Sequence, residues 1–243
     1  MKLSPSKFQC ARQVTFGGVN IEALKQRGDT ETRVYLTPED EKIQKFLDIE
    51  EPKTKKEAQM ICGMAAQLKA WVPGLQLIYP NIQKLTSNTT PFTWSADLSL
   101  EFQAMKRAIQ ESIKLSPLDT TKQLYAFVDS AVTVGTAYIL AQRKDENCEK
   151  KGYNIIACDS TTFKKAQVQY SPFEAEALGI VWFLNKEDYY TRGAQHITIY
   201  NDAKNMGSFM SSDISNVKNP RLFKMLEKTM IYNFDVEYRP GSG

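Results

Sequence analysis

Leu124-Tyr125-Ala126-Phe127-Val128-Asp129-Ser130 is the stretch on which the fold turns. Five apolar residues in a row, aromatic and β-branched among them, read as a short apolar strand, and the run ends on a carboxylate. Downstream, residues 134–140 and 154–158 read as two more strands, with Gly135 inside the first. Residues 173–190 then change period, and Ala177, Ile180, Val181 and Leu184 recur at helical spacing. Ile197-Thr198-Ile199-Tyr200-Asn201-Asp202 is a fourth strand, again closing on an acid. Helical stretches at 204–210 and 221–232 and a fifth strand at 234–239 follow. The order β-β-β-α-β-α-α-β predicts a mixed sheet flanked by helices, since three antiparallel-capable strands are followed by a crossover helix.

Upstream the chain reads as helices after a short extended lead-in. Thr37-Pro38-Glu39-Asp40 predicts a helix start: a hydroxyl cap, proline at the first position, then two acids at the positive dipole end. Ile43, Phe46 and Leu47 form its buried stripe. Thr54 caps a second helix, in which Ile61, Met64, Ala65, Leu68 and Val72 recur before Pro73-Gly74 breaks the chain. A weaker helical segment carries Ile78, Ile82 and Leu85. From Ser95, a capping residue, Leu98, Phe102, Met105, Ile109 and Ile113 fall on one face of a long helix. Residues 116–120, Ser-Pro-Leu-Asp-Thr, are the expected domain boundary.

The 243 residues can bury a sound core in one or two domains. A net charge of +3 is too small to announce a nucleic-acid binder, which at this composition must gather its cations on one face. Cys10, Cys62, Cys148 and Cys158 form no C-x-x-C pair, and with His196 as the single histidine no zinc site of normal spacing can be assembled. Reduced thiols in an intracellular protein are the expectation. No stretch approaches the roughly 18 apolar residues of a membrane span.

Three acids occupy unusual places. Asp129 and Asp202 each end an apolar strand, and Glu176 lies early in the most apolar helix. If those strands are neighbours and the helix crosses over them, the three carboxylates converge. Hard oxygen donors without histidine or thiolate select Mg²⁺ or Mn²⁺ and suit two-metal phosphodiester hydrolysis. The same acids are also ordinary turn formers and dipole partners, and residue chemistry leaves both readings open. Lys53, Lys55 and Lys56 cluster at a helix start, where the dipole does not favour cations. They read as a solvated face or as phosphate-backbone contacts. His196 reads as a surface residue, and Trp71, Trp94 and Trp182 as core.

At these residues the chain resembles the reverse transcriptases of gypsy-type LTR retrotransposons. Lys7-Phe8-Gln9-Cys10-Ala11 and Val14-Thr15-Phe16-Gly17-Gly18 are similar to the end of the family's palm. Pro52-Lys53-Thr54-Lys55-Lys56-Glu57 with Gly63 resembles its thumb helix, and Pro91-Phe92-Thr93-Trp94-Ser95 with Phe102, Lys106 and Ile113 its Phe-x-Trp segment. Phe127-Val128-Asp129-Ser130, Gly135 and Leu140-Ala141-Gln142 look like the first RNase H strands. Tyr170-Ser171, Glu174-Ala175-Glu176-Ala177-Leu178, Tyr200-Asn201-Asp202-Ala203-Lys204, Asn219-Pro220-Arg221-Leu222 and Tyr238-Arg239-Pro240-Gly241 complete the ordered series.

The resemblance implies an α/β protein: a helical thumb/connection-like region followed by an RNase H-like mixed β-sheet flanked by helices. It divides the chain into a palm-end remnant at 1–18, a helical region at 19–116 and an RNase H-like domain at 117–243. It implies Asp129, Glu176 and Asp202 as metal-binding catalytic carboxylates for Mg²⁺ or Mn²⁺, and Lys53, Lys55 and Lys56 as backbone contacts. The implied substrate is the RNA of an RNA–DNA hybrid. The implied partners are the transcriptase's fingers and palm, with a second subunit or a second copy of the chain, in the cytoplasm, a virus-like particle or the nucleus. The polymerase aspartates are expected before Met1. The family's fourth RNase H aspartate follows the Pro-Gly turn in an Asn-x-x-Ala-Asp segment, which Gly241-Ser242-Gly243 does not supply. Residues 1–243 alone are therefore expected to bind Mg²⁺ weakly and to cleave little or no hybrid. The rival readings are a non-catalytic RNase H-like scaffold that binds nucleic acid or a protein, and an unrelated mixed α/β domain whose acids are structural.

Overall fold

The computed structural model describes residues 11–24, 32–147 and 152–240. The Lys7–Cys10 part of the palm-like motif, Cys148 and Gly241-Ser242-Gly243 lie outside the described residues. The chain opens on β1 (Gln13–Phe16), β2 (Val19–Leu24) and β3 (Arg33–Pro38), an antiparallel sheet in that order. Gly17 and Gly18 turn β1 into β2 at φ of 61° and 84°, a left-handed pair that other residues adopt only under strain. The Thr37-Pro38 helix start is corrected here: Thr37 pairs with Asn20 and Pro38 with Val19 inside the sheet. The helix α1 (Asp40–Leu47) begins two residues later with Glu39 at the cap position and no side-chain cap bond. Pairing with a distant strand outcompeted a local capping preference.

α2 (Lys55–Leu68) is capped as expected, the Thr54 hydroxyl accepting from the Glu57 amide at 3.2 Å. A 3₁₀ turn (Lys69–Trp71), short α3 (Leu75–Ile78) and α4 (Pro80–Leu85), and long α5 (Ala96–Gln110) follow. Phe46, Ile61, Ala65, Leu75, Ile82, Phe102, Met105 and Ile109, all fully buried, form their shared core. Ile113 falls beyond the end of α5, and its amide bonds the Trp71 carbonyl instead.

The second sheet contains β4 (Leu124–Ala131), β5 (Gly135–Arg143), β6 (Tyr153–Thr162), β7 (Ile197–Asn201) and β8 (Phe234–Tyr238), in the order β6-β5-β4-β7-β8. β4-β5 and β5-β6 run antiparallel, whereas β7 is parallel to β4 and to β8. α6 (Pro172–Lys186) carries the chain across one face, α7 (Asp188–Thr191) extends it, and α8 (Met206–Met210) and α9 (Pro220–Thr229) close the layer. Ala126, Leu140, Ala177, Ile180, Phe183, Leu184, Ile197 and Ile199 are fully buried at that interface. This is the expected mixed sheet, with the first and fourth strands of the series adjacent.

The helical part lies against the edge strand β6. Cys158 Sγ approaches the Ala70 carbonyl at 3.1 Å, and the Gln76 amide donates to Ser160 Oγ at 2.9 Å. Asp159, 4% exposed, takes Lys69 Nζ at 3.0 Å and Lys186 Nζ at 3.4 Å, so one carboxylate ties the helical layer and α6 together. Burial pushes the Cys158 thiol up to about 12, and both Cys158 and Cys62 are free thiols. Among the described residues, no helix is long and apolar enough to cross a membrane.

Candidate metal centre

The register of the sheet creates the site. β4 and β7 pair in parallel up to Phe127 opposite Tyr200. Two residues further along lie Asp129, which does not end its strand but still pairs with Ala137 of β5, and Asp202, the first residue after β7, at the same end of the β4–β7 pair. The third carboxylate arrives from α6, whose entry is fixed by a capping box: Ser171 Oγ accepts from the Glu174 amide, and Glu174 accepts from the Ser171 amide. Gly179 then lets the helix sit on the sheet. A Cβ at that position would come within 2.6 Å of Thr136 Oγ1 and 2.7 Å of Ser130 Oγ. With α6 this close, Asp129, Glu176 and Asp202 each offer a carboxylate oxygen within 4.8 Å of the others.

The three acids differ in environment. Asp129 and Asp202 are exposed and face an open cleft of about 590 Å³ that Phe127, Tyr200 and Arg239 also line. Glu176 is 6% exposed and accepts from the Ser130 amide at 3.2 Å and from Asn201 Nδ2 at 2.7 Å. Burial pushes its carboxyl up to about 7, and the negative charges of Asp202 and Asp129 add to the rise. The Asn201 and Ser130 hydrogen bonds oppose it by favouring the anion. Among the described residues, no cationic side chain forms an ion pair with any of the three. Converging carboxylates without a paired cation are the arrangement that a hard divalent cation relieves. Oxygen-only donors match Mg²⁺ or Mn²⁺ in chemistry.

The other residues singled out from sequence lie elsewhere. Lys55 is half-buried, its ammonium donating to the carbonyls of Ser87 at 2.9 Å and Thr90 at 2.6 Å. Lys53 is exposed and pairs loosely with Glu50 at 3.6 Å, whereas Lys56 is exposed at the start of α2. His196 is half-exposed and bonds Asp235, which lies in β8 away from the three carboxylates. Trp71, Trp94 and Trp182 are half-buried, the last two packed against the hydrophobic cores. Asn201 and Ser130, which hold Glu176, were not singled out from sequence. Strand alternation carries the signal for Asn201, because it shares the inward face of β7 with Ile197 and Ile199.

The profile of the RNase H-like domain found in reverse transcriptase matches residues 119–232. That stretch is similar to the RNase H-like domain found in reverse transcriptases. The Transposon Tf2-3 and Tf2-4 polyproteins of Schizosaccharomyces pombe (strain 972 / ATCC 24843) are each 25% identical over 209 residues, 85% of this chain. The chain spans 15% of the length of these curated relatives. Among solved structures, the foamy viral protease-reverse transcriptase in complex with RNA/DNA hybrid superposes with a TM-score of 0.71 at 20% identity, over 96% of this chain and 30% of that one. The same enzyme in complex with dsDNA gives 0.70 at 19%, over 96% and 46%. The resemblance to gypsy-type retroelement reverse transcriptases is thus borne out, and the fold is that of an RNase H-like domain preceded by a helical region.

Proposed function

We propose that residues 117–243 are the ribonuclease H domain of a retroelement reverse transcriptase, and that Asp129, Glu176 and Asp202 hold Mg²⁺ or Mn²⁺ for hydrolysis of RNA in an RNA–DNA hybrid. The observation that carries this reading is the convergence of three carboxylates within 4.8 Å, with no ion pair to any of them among the described residues. Ions held there supply an activated water and a counter-charge for the leaving oxygen, the two requirements of phosphodiester hydrolysis. The chain's own part is positional. β4 and β7 present Asp129 and Asp202 to solvent, where a phosphate can reach them, and the buried Glu176 anchors the cluster from beneath. The RNA/DNA hybrid in the foamy viral complex supports the choice of substrate. On this reading residues 19–116 are the thumb/connection-like region that lies along the hybrid, with Lys53 and Lys56 nearest its backbone and the fingers and palm as companions.

The test is end-labelled hybrid incubated with the chain and Mg²⁺ or Mn²⁺. Slow cleavage of the RNA strand is expected, because three carboxylates among the described residues must serve two ions. Chelation and Asp129→Asn should each abolish it, and duplex DNA should stay intact. Metal-independent hybrid binding, with Asp129→Asn indistinguishable from the parent in both metal binding and cleavage, would instead support a non-catalytic scaffold.

A further inference from the structure

One side chain touches all three carboxylate-bearing segments. Asn201 is 2% exposed at the last position of β7. Its Nδ2 donates to Glu176 Oε2 at 2.7 Å and to the Val128 carbonyl at 3.1 Å. Its Oδ1 accepts from the Ala203 amide at 3.0 Å. Val128 is the residue before Asp129, and Ala203 is the residue after Asp202. The primary amide therefore uses both donor hydrogens and its oxygen, each on a segment that presents a different acid. A carboxylate offers no donor and a hydroxyl too few, so among compact side chains only an amide makes all three bonds.

We infer that Asn201 is the positioning residue of the metal centre, fixing the mutual placement of Asp129, Glu176 and Asp202 before a cation binds. The inference rests on the metal reading above and names a residue that this reading does not require. Without the amide, Glu176 keeps only the Ser130 amide and can rotate about its own bonds, while the β4 and β7 ends lose their side-chain cross-tie. Second-layer partners of metal ligands contribute in this way, by holding ligands in a geometry that need not be rebuilt on binding.

The test is Mn²⁺ binding by the full chain, read from the electron paramagnetic resonance signal of the free ion. Asn201→Leu has similar bulk and no hydrogen bonds, and it should raise the dissociation constant ~10-fold or more, within the range of such partners. Asn201→Ser is smaller and tolerant of water, and it decides the matter should the leucine variant fail to fold. Phe102→Leu, in the separate helical core, is the control for destabilisation alone and should bind Mn²⁺ like the parent. Parental affinity in either folded Asn201 variant overturns the inference, as does an equal loss in Phe102→Leu. A parent chain that binds no Mn²⁺ overturns the metal reading itself and takes the inference with it.

Discussion

Replacing Glu176 by Gln removes one ionisation from the protein interior, and its effect on stability depends on pH in a calculable way. The Glu176 carboxyl is raised on folding from 4.5 to about 7, first by burial and then by Asp202 and Asp129. A group raised on folding binds its proton more tightly in the native state, so in metal-free protein stability is lost as pH climbs from the unfolded value through the folded one. At about 1.4 kcal/mol per unit, the rise corresponds to about 3 kcal/mol. Below pH 4.5 both proteins carry a neutral group there, and their difference reflects only how Gln meets the Ser130 and Asn201 donors. By about pH 8 the parent should have lost ~3 kcal/mol relative to Glu176→Gln. Urea unfolding in chelator at several pH values measures this directly. Adding Mn²⁺ at about 100 times its dissociation constant should return about 2.7 kcal/mol to the parent and far less to the variant. Stability curves that stay parallel from low to high pH would refute the claim that Glu176 is a buried acid destabilised by its neighbours.

Three further outcomes follow from the packing. Gly179→Ala gains helix propensity, yet its Cβ would overlap Ser130 of β4 and Thr136 of β5, against which α6 packs. The net loss should be about 1–3 kcal/mol, read as a lower thermal midpoint. Thr54→Ala removes the hydroxyl that accepts from the Glu57 amide, which costs about 1 kcal/mol by urea unfolding. Lys56→Ala should reduce the salt dependence of hybrid binding by about one unit of slope. Lys55→Ala should change that slope less, because the Lys55 ammonium is already spent on the Ser87 and Thr90 carbonyls. Slopes unchanged from the parent in both variants would return both lysines to a solvated face.

Sequence legibility followed the range of the interactions. The runs before Asp129 and Asp202 read as strands because burial on both faces leaves nearly continuous apolar sequence, and α6 showed its 3.6-residue period. The carboxylate cluster was legible because each acid lies near the end of an element that the topology brings together, although β4 continues past Asp129 to Ala131. Thr37-Pro38 was misread because its local pattern is that of a helix cap, and only pairing with Val19 and Asn20 reveals the strand. The Lys55 anchor was invisible for the same reason, since its carbonyl partners lie 32 and 35 residues away. Asn201 was not legible although strand alternation points it inward, because its partners Val128 and Glu176 lie 73 and 25 residues away.

The proposal on which the function rests is that Asp129, Glu176 and Asp202 together hold a hard divalent cation. Anomalous scattering from crystals of the chain soaked in Mn²⁺ tests it most directly. The account predicts a peak between the three carboxylates, with oxygen ligands from at least Asp129 and Asp202, and its disappearance in Asp129→Asn crystals soaked identically. No peak at that sheet end at saturating Mn²⁺, or an undiminished one in Asp129→Asn, would contradict it.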